Sequence, residues 1–394
     1  MDFDDTPREA EIRAEARAFL TEAWPGWRAE HHIQGDPPYA LEAMRAWQRT
    51  LADAGWGAPM WPVEHGGRGY GPVENTIWSQ EKARAGANVP FNIVGFGMAG
   101  PTIITHGTPE QQTAHVPAIL RGEKIWCQLF SEPGAGSDLA GLSTKATRVG
   151  DSWIIEGQKV WSSDADVADH GILLARHDPS LPKHQGLTYF IADMRAPGVD
   201  VRPLRQLNGD AHFSEVFLNE VRILDADRIG EVGEGWTVAR TTLLWERMSL
   251  GDATAGITFP FSRLVQIARA RAGRVDPVDR DDLVRIYVQE KLLALLNARV
   301  VSKIARGEIP TAKGSILKLM LANLGTEAAT LGLRLLGGDG MLRGSRGPEE
   351  AFLWEKAMHI GGGTDEVQRN QIAERVLGLP RDPQPDRNRP FSER

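Results

Sequence analysis

The chain has 394 residues, 41% hydrophobic and 25% charged, with a formal net charge of −7. That length suits two or three domains sharing a large core. The acidic balance excludes nonspecific nucleic-acid binding, which needs excess basic charge. One cysteine, Cys127, allows no internal disulfide framework and suits a reducing compartment. The acidic, amphipathic N-terminus is neither a secretory nor a transit signal. The most apolar window, FNIVGFGMAGPTII at 91–104, is too short and too glycine-rich to cross a bilayer. A cytoplasmic, soluble protein with no nucleic-acid and no membrane partner is expected.

The first third reads as helical. Thr6-Pro7-Arg8-Glu9 is a helix start with a capping box, and Ile12, Ala16, Phe19, Leu20 and Ala23 then recur at helical spacing. Leu41, Met44, Trp47 and Leu51 form a second stripe, stopped by Gly55. A glycine-rich loop at 61–72 precedes another helix at 73–85. After about residue 122 the runs STKATRV, SWIIEGQKVW, GILLARH, GLTYFIADM and FSEVFLNEV are short, β-rich and spaced as in antiparallel sheets. Gly150-Asp151 marks a hairpin turn. From Trp236 the pattern is helical again. Apolar positions 283, 286, 292, 293, 295 and 296 describe a helix packed on more than one side. Further helices are expected at 315–338 and 364–377. The tail, 381–394, has the composition of a disordered end.

Three stretches carry possible chemistry. SEPGAGSD (131–138) lets a backbone approach a ligand at Gly134 and Gly136, with Ser137 as a small donor, or it is an ordinary turn. It is neither a Walker loop nor a Rossmann fingerprint. GQKVWSSDA (157–165) places Trp161 at the end of an alternating run. The indole is either core packing or a flat wall for a flat cofactor ring, with Ser162 and Ser163 beside it. In HIGGGTDEVQR, three glycines precede a capped helix start, which offers free N–H groups to an anion or oxygen-rich ligand, or is a plain linker. His65 and His106 read as loop residues, and Cys127 as a small buried residue.

SEPGAGSD, GQKVW, GEGW, LLGGDG and GGGTDEVQR stand in the order and spacing of the acyl-CoA dehydrogenases, which the whole chain except its tail resembles. The resemblance implies an α+β fold: an N-terminal α-helical domain (1–122), a middle β-barrel or sheet domain (123–235) and a C-terminal four-helix-bundle domain (236–380). It implies FAD, an acyl-CoA substrate and an electron-transfer flavoprotein as electron acceptor. It also implies a homo-oligomer (dimer or tetramer), with a heteromer as the alternative. Gln128, Phe130 and Ser131 match positions along the flavin ring, with Gly136, Ser137, Trp161 and Ser163 nearby. Gly338, Thr364 and Glu366 match the adenine-nucleotide end, and Ser137 also faces the pantetheine arm. An inactive partner subunit and a flavin oxidase or monooxygenase are the competing readings.

Many members carry the catalytic base where this chain has Gly362, whose N–H remains available as an oxyanion donor. Other members carry it on the helix that follows GxGW, and alignment there falls on Glu246, followed by Arg247 on the substrate side. Helical geometry places Glu246 in line with Ala239, Leu243 and Leu250. A carboxylate on such an apolar face suits a general base; its competing role is a structural ion pair with a neighbouring arginine such as Arg240.

Overall fold

The computed structural model describes residues 5–33, 39–249, 257, 259–271, 275–307, 313–342 and 347–393. The chain divides into two compact units, one comprising 1–206, 210–249 and 383–394, the other 207–209 and 250–382.

The first unit opens with helices α1 (Pro7–Glu30), α2 (Leu41–Asp53) and α3 (Pro72–Ala85). Thr6 forms the expected capping box with Glu9, and Ile12, Ala16 and Leu20 are buried along one stripe of α1. They pack with Trp24, Trp27, Trp47, Trp56 and Trp78 into an aromatic-rich core. At the edge of this layer, Arg17, Arg84 and Arg13 converge on the Glu81 carboxylate.

The apolar window at 91–104 folds as a π-helical turn, Gly95–Ala99, running into α4 (Gly100–His106), and α5 (Pro109–Leu120) follows. Among the described residues no helix is long and apolar enough to cross a membrane.

The sheet comprises β1 (Trp126–Leu129), β2 (Lys145–Val149), β3 (Ser152–Ser163), β4 (His170–Arg176), β5 (Leu187–Asp193), β6 (Val199–Leu204), β7 (Phe213–Leu224) and β8 (Arg228–Ile229). The order is β6-β7-β3-β2-β4-β5-β8, with β1 pairing β4 off this path. Gly150, at φ 64°, turns the β2–β3 hairpin as expected. Two features depart from the antiparallel expectation. β1 pairs in parallel with β4, Cys127 opposite Gly171, and β2 meets β4 in parallel at Lys145 and Arg176; β1 and β8, of four and two residues, are too short to show as periodic runs. Helix α6 (Gly235–Ser249) leaves the sheet and closes this unit's core: Val238, Ala239 and Thr242 are at most 1% exposed.

The second unit is helical: α7 (Phe261–Ala270), α8 (Pro277–Ala305), α9 (Lys313–Leu336), α10 (Pro348–Met358) and α11 (Asp365–Arg375). Its core gathers Leu264, Ile286, Leu293, Leu324 and Leu331. Within the chain α8 packs on one side, contrary to expectation: Leu292 and Leu295 are 51% and 52% exposed.

The tail also departs from expectation. Pro390 bridges to Pro182, the Phe391 and Ser392 N–H groups donate to the Leu181 and Pro179 carbonyls, and the Arg176 guanidinium lies over the Phe391 ring at 3.6 Å. A terminal aromatic residue stacked on a fixed cation outweighs the polar composition around it.

Candidate active site

The residues expected along the cofactor ring meet at the joint of β1 and β3. Gln128 is half-buried in β1 and Phe130 follows it, 3% exposed. The Ser131 carbonyl accepts the Val160 N–H at 2.9 Å, which ties this edge to β3. An ion pair that sequence reasoning did not single out locks the joint from beneath. Lys159 Nζ, wholly buried, donates to Glu132 Oε1 at 2.9 Å, to the Phe130 carbonyl at 3.0 Å and to the Leu174 carbonyl at 2.8 Å. Glu132 also accepts the Ser143 N–H at 2.7 Å and the Thr144 N–H at 2.8 Å.

Burial by itself would raise the Glu132 pKa. The Lys159 charge and the surrounding donors outweigh it and hold the carboxyl down to about 2. Burial draws Lys159 down to about 8, against the pull of Glu132. With all three ammonium donors engaged, the pair is a support for the ledge and not an acid or base. Its signal was present in the sequence, as Glu132 inside SEPGAGSD and Lys159 inside GQKVW.

Trp161 is not a core residue. The pairing of β3 with β7 shifts register between Lys159 and Ser162, and Trp161 takes φ 62°, a left-handed conformation that bulky residues avoid. The bulge turns its indole outward, where it is 60% exposed and stands edge-on to Phe213 at 5.9 Å. Backbone strain of this kind concentrates at ligand sites. Ser163 lies half-buried at the end of the strand, and the buried Ser162 hydroxyl has no partner among the described residues.

Gly136 and Ser137 are exposed. A Cβ added at Gly134 or Gly136 would meet nothing within 4 Å, and neither glycine has a left-handed φ. Neither packing nor a left-handed turn requires glycine at these two positions, and the loop leaves its backbone open to a ligand. A flat exposed ring, a main-chain ledge and a glycine loop clear of neighbours together fit a flat cofactor.

Helix α6 is seated on β5 at Gly235, where a Cβ would come 2.6 Å from the Thr188 nitrogen. Gly235, Ala239, Thr242 and Glu246 then follow at steps of four, three and four, which is one face of a helix. The first three are buried and Glu246 is half-buried. Arg240, one of the arginines weighed as a partner for Glu246, is exposed and forms no ion pair among the described residues, while Glu246 itself is not without a partner. Arg247 lies in α6, but its side chain and Leu250 fall outside the described residues. His106 ends α4 and is no loop residue: its Nε2 is 2.8 Å from the Thr241 hydroxyl. A cavity of about 480 Å³ between Glu64, His65 and α5 contains none of the expected site residues.

In the second unit, Gly362 and Gly363 take φ 63° and 89°. The Gln368 amide donates to the Gly362 carbonyl at 2.9 Å and to the Gly363 carbonyl at 3.3 Å. His359 bridges Asp365 at 2.6 Å and the Thr326 hydroxyl at 2.9 Å, which ties the glycine loop to α9. A Cβ at Gly362 would meet nothing within 4 Å. Thr364 caps α11, accepting the Val367 N–H at 3.2 Å, while Glu366 is exposed beside Arg369. Gly338 lies exposed in the turn after α9, likewise with nothing within 4 Å of an added Cβ. Arg334 is engaged by Asp279, 2.7 Å away, and so staples α9 to α8.

A helical segment, a sheet segment with an exposed ring ledge, and a second helical segment define the class. Sequence profiles agree: the acyl-CoA dehydrogenase N-terminal, middle and C-terminal domains match residues 6–123, 127–221 and 233–377. The chain belongs to the acyl-CoA dehydrogenase family. Acyl-CoA dehydrogenase FadE34 of Mycobacterium tuberculosis is 42% identical over 334 residues, 85% of this chain and 46% of that protein. The chain thus spans about half the length of FadE34. Among solved structures, the Tcur3481-Tcur3483 steroid ACAD is 30% identical with TM-score 0.81, covering 97% of this chain and 100% of that one. The ChsE4-ChsE5 complex of Mycobacterium tuberculosis is 31% identical with TM-score 0.80, at the same coverage of both chains.

Proposed function

We propose that the chain catalyses the α,β-dehydrogenation of an acyl-CoA thioester to the trans-2-enoyl-CoA. The observation that supports this most is Glu246, a carboxylate on the face of α6 that Ala239 and Thr242 bury. Glu246 takes the α proton, and the Gly362 N–H donates to the thioester oxygen as charge builds there. FAD, when bound, supplies the acceptor for the hydride that leaves the β carbon. Gln128, Phe130, Ser131, Gly136, Ser137, Trp161 and Ser163 hold the ring end, and Gly338, Thr364 and Glu366 the nucleotide end. Ser137 and Arg247 serve the thioester arm, and the electrons pass on to an electron-transfer flavoprotein.

The substrate we favour is a wide, ring-bearing acyl-CoA. Gly362 leaves open the space a side chain would fill, and one structural neighbour is a steroid ACAD. Assembly with a partner chain is supported by α8. Val284, Val288, Leu292 and Leu295 recur at steps of four, four and three, 61%, 46%, 51% and 52% exposed. Such a stripe calls for a partner surface, and a complex of ChsE4 with ChsE5 is among the neighbours.

The test is Glu246→Gln in the FAD-loaded protein, mixed anaerobically with straight, branched and steroid-side-chain acyl-CoAs. Bleaching of the visible flavin band should slow by about 10²–10⁴-fold, the worth of a positioned base. Bleaching at the unmutated rate would remove Glu246 from the role.

A further inference from the structure

The core beneath Glu246 contains a chain of hydroxyls. Tyr189 on β5, Thr242 on α6 and Thr102 on α4 are all 0% exposed, in a cluster otherwise built of apolar side chains. The Tyr189 hydroxyl lies 2.9 Å from Thr242 Oγ1, which lies 2.9 Å from Thr102 Oγ1 and also donates to the Val238 carbonyl at 3.3 Å. Replacing both partners of a buried hydrogen bond by apolar groups of the same shape is close to neutral for stability. Stability therefore does not demand three hydroxyls here, whereas a satisfied polar network does impose one unique packing.

Two features connect this network to the site. Thr242 precedes Glu246 by four residues, one turn of the same helix face. The Tyr189 ring stands edge-on to Phe130, 5.7 Å between centroids and at 89°. One side chain thus touches the ledge with its ring and the helix of the base with its hydroxyl. The neighbouring Thr241 is held by His106. Attachments on two successive residues, about 100° apart around the axis, prevent both sliding and rotation of α6.

Resting on the function proposed above, we infer that Tyr189, acting with Thr242 and Thr102, is a positioning residue that sets the separation between Glu246 and the ring-binding ledge. A slip of α6 by one residue would displace the carboxylate by about 1.5 Å along the axis and about 100° around it. Misplacement by about 1 Å costs roughly 10²-fold in rate.

The test is the triple variant Thr102→Val/Tyr189→Phe/Thr242→Val, compared with Thr242→Ser and with Glu246→Gln. The probe is whichever acyl-CoA of the straight, branched and steroid-side-chain panel bleaches the unmutated protein fastest. The triple variant should keep its melting temperature and its half-saturating acyl-CoA concentration, while its limiting bleaching rate falls roughly 10–100-fold. The single variant Thr242→Ser, which keeps the hydroxyl, should keep most of the unmutated rate. In the flavin-free protein, amide exchange across 238–246 should quicken about tenfold or more in the triple variant, as expected when a local lock is lost. A triple variant that bleaches and exchanges like the unmutated protein, while Glu246→Gln is inactive, overturns the positioning role alone. If Glu246→Gln bleaches normally, or no acyl-CoA bleaches the unmutated protein, the proposed function fails and the positioning role falls with it.

Discussion

The aromatic layer of the first three helices and the β1–β3 joint use the same residue types to opposite ends. Trp24, Trp27, Trp47, Trp56 and Trp78 are at most 5% exposed. They stack on one another: Trp56 and Trp78 lie 4.5 Å apart, Trp24 and Trp27 5.0 Å. Trp161 is held outward on a strained backbone. The carboxylates contrast as well. Both Glu81 and Glu132 are held down to about 2. Glu81 is held chiefly by the Arg17 hydrogen bond, with Arg84 and Arg13, at the rim of a layer that only packs. Glu132 opposes its own burial through Lys159 and main-chain donors under a ledge that faces outward. A depressed pKa therefore does not mark the site here. What sets the β1–β3 joint apart is an exposed aromatic ring and unfilled glycine space beside a rigid buried pair.

The largest effect that separates the two regions is expected from Glu132→Gln. It leaves the Lys159 charge buried without its counter-charge and should cost about 3–5 kcal/mol. Glu81→Gln should cost less, about 1–3 kcal/mol, because its arginines reach water. Chemical-denaturation midpoints of the two variants measure this gap, and equal losses would erase the contrast.

Acid should sharpen the same comparison. Both glutamates have folded-state pKa values below the ordinary 4.5. Their contribution is therefore complete above about pH 4.5 and is lost as pH falls towards about 2. Denaturation midpoints followed through that window should fall less steeply in each Gln variant than in the unmutated protein.

The smallest effect on stability is expected from Trp161→Ala. Removing an exposed ring should move the midpoint by less than about 0.5 kcal/mol, yet FAD should dissociate measurably faster by fluorescence. Stability loss as large as that of a buried tryptophan, or unchanged FAD release, would return Trp161 to the packing class.

Much of this was legible in sequence because it is local. The Thr6 and Thr364 caps, the stripe of α1, the Gly150 hairpin and the helix that carries Glu246 follow from spacing within one segment. The β1 strand was not legible, since four residues show no period and its partner β4 lies some forty positions away. Nor was the exposure of Trp161, because alternation along β3 says nothing about a bulge opposite β7. His106 passed for a loop residue because its partner, Thr241, lies far along the chain.

Sequence alone determined the order of helical, sheet and helical segments, the five collinear motifs and the absence of a carboxylate at Gly362. Each is read along the chain from residue type and linear order, with no contact through space. Only the tertiary structure decided that Lys159 neutralises Glu132, that Tyr189 links Phe130 to Thr242, and that Phe391 returns to Arg176. Those contacts join residues distant in sequence, and hydrogen bonds, burial and ring stacking act through space with no imprint on local periodicity.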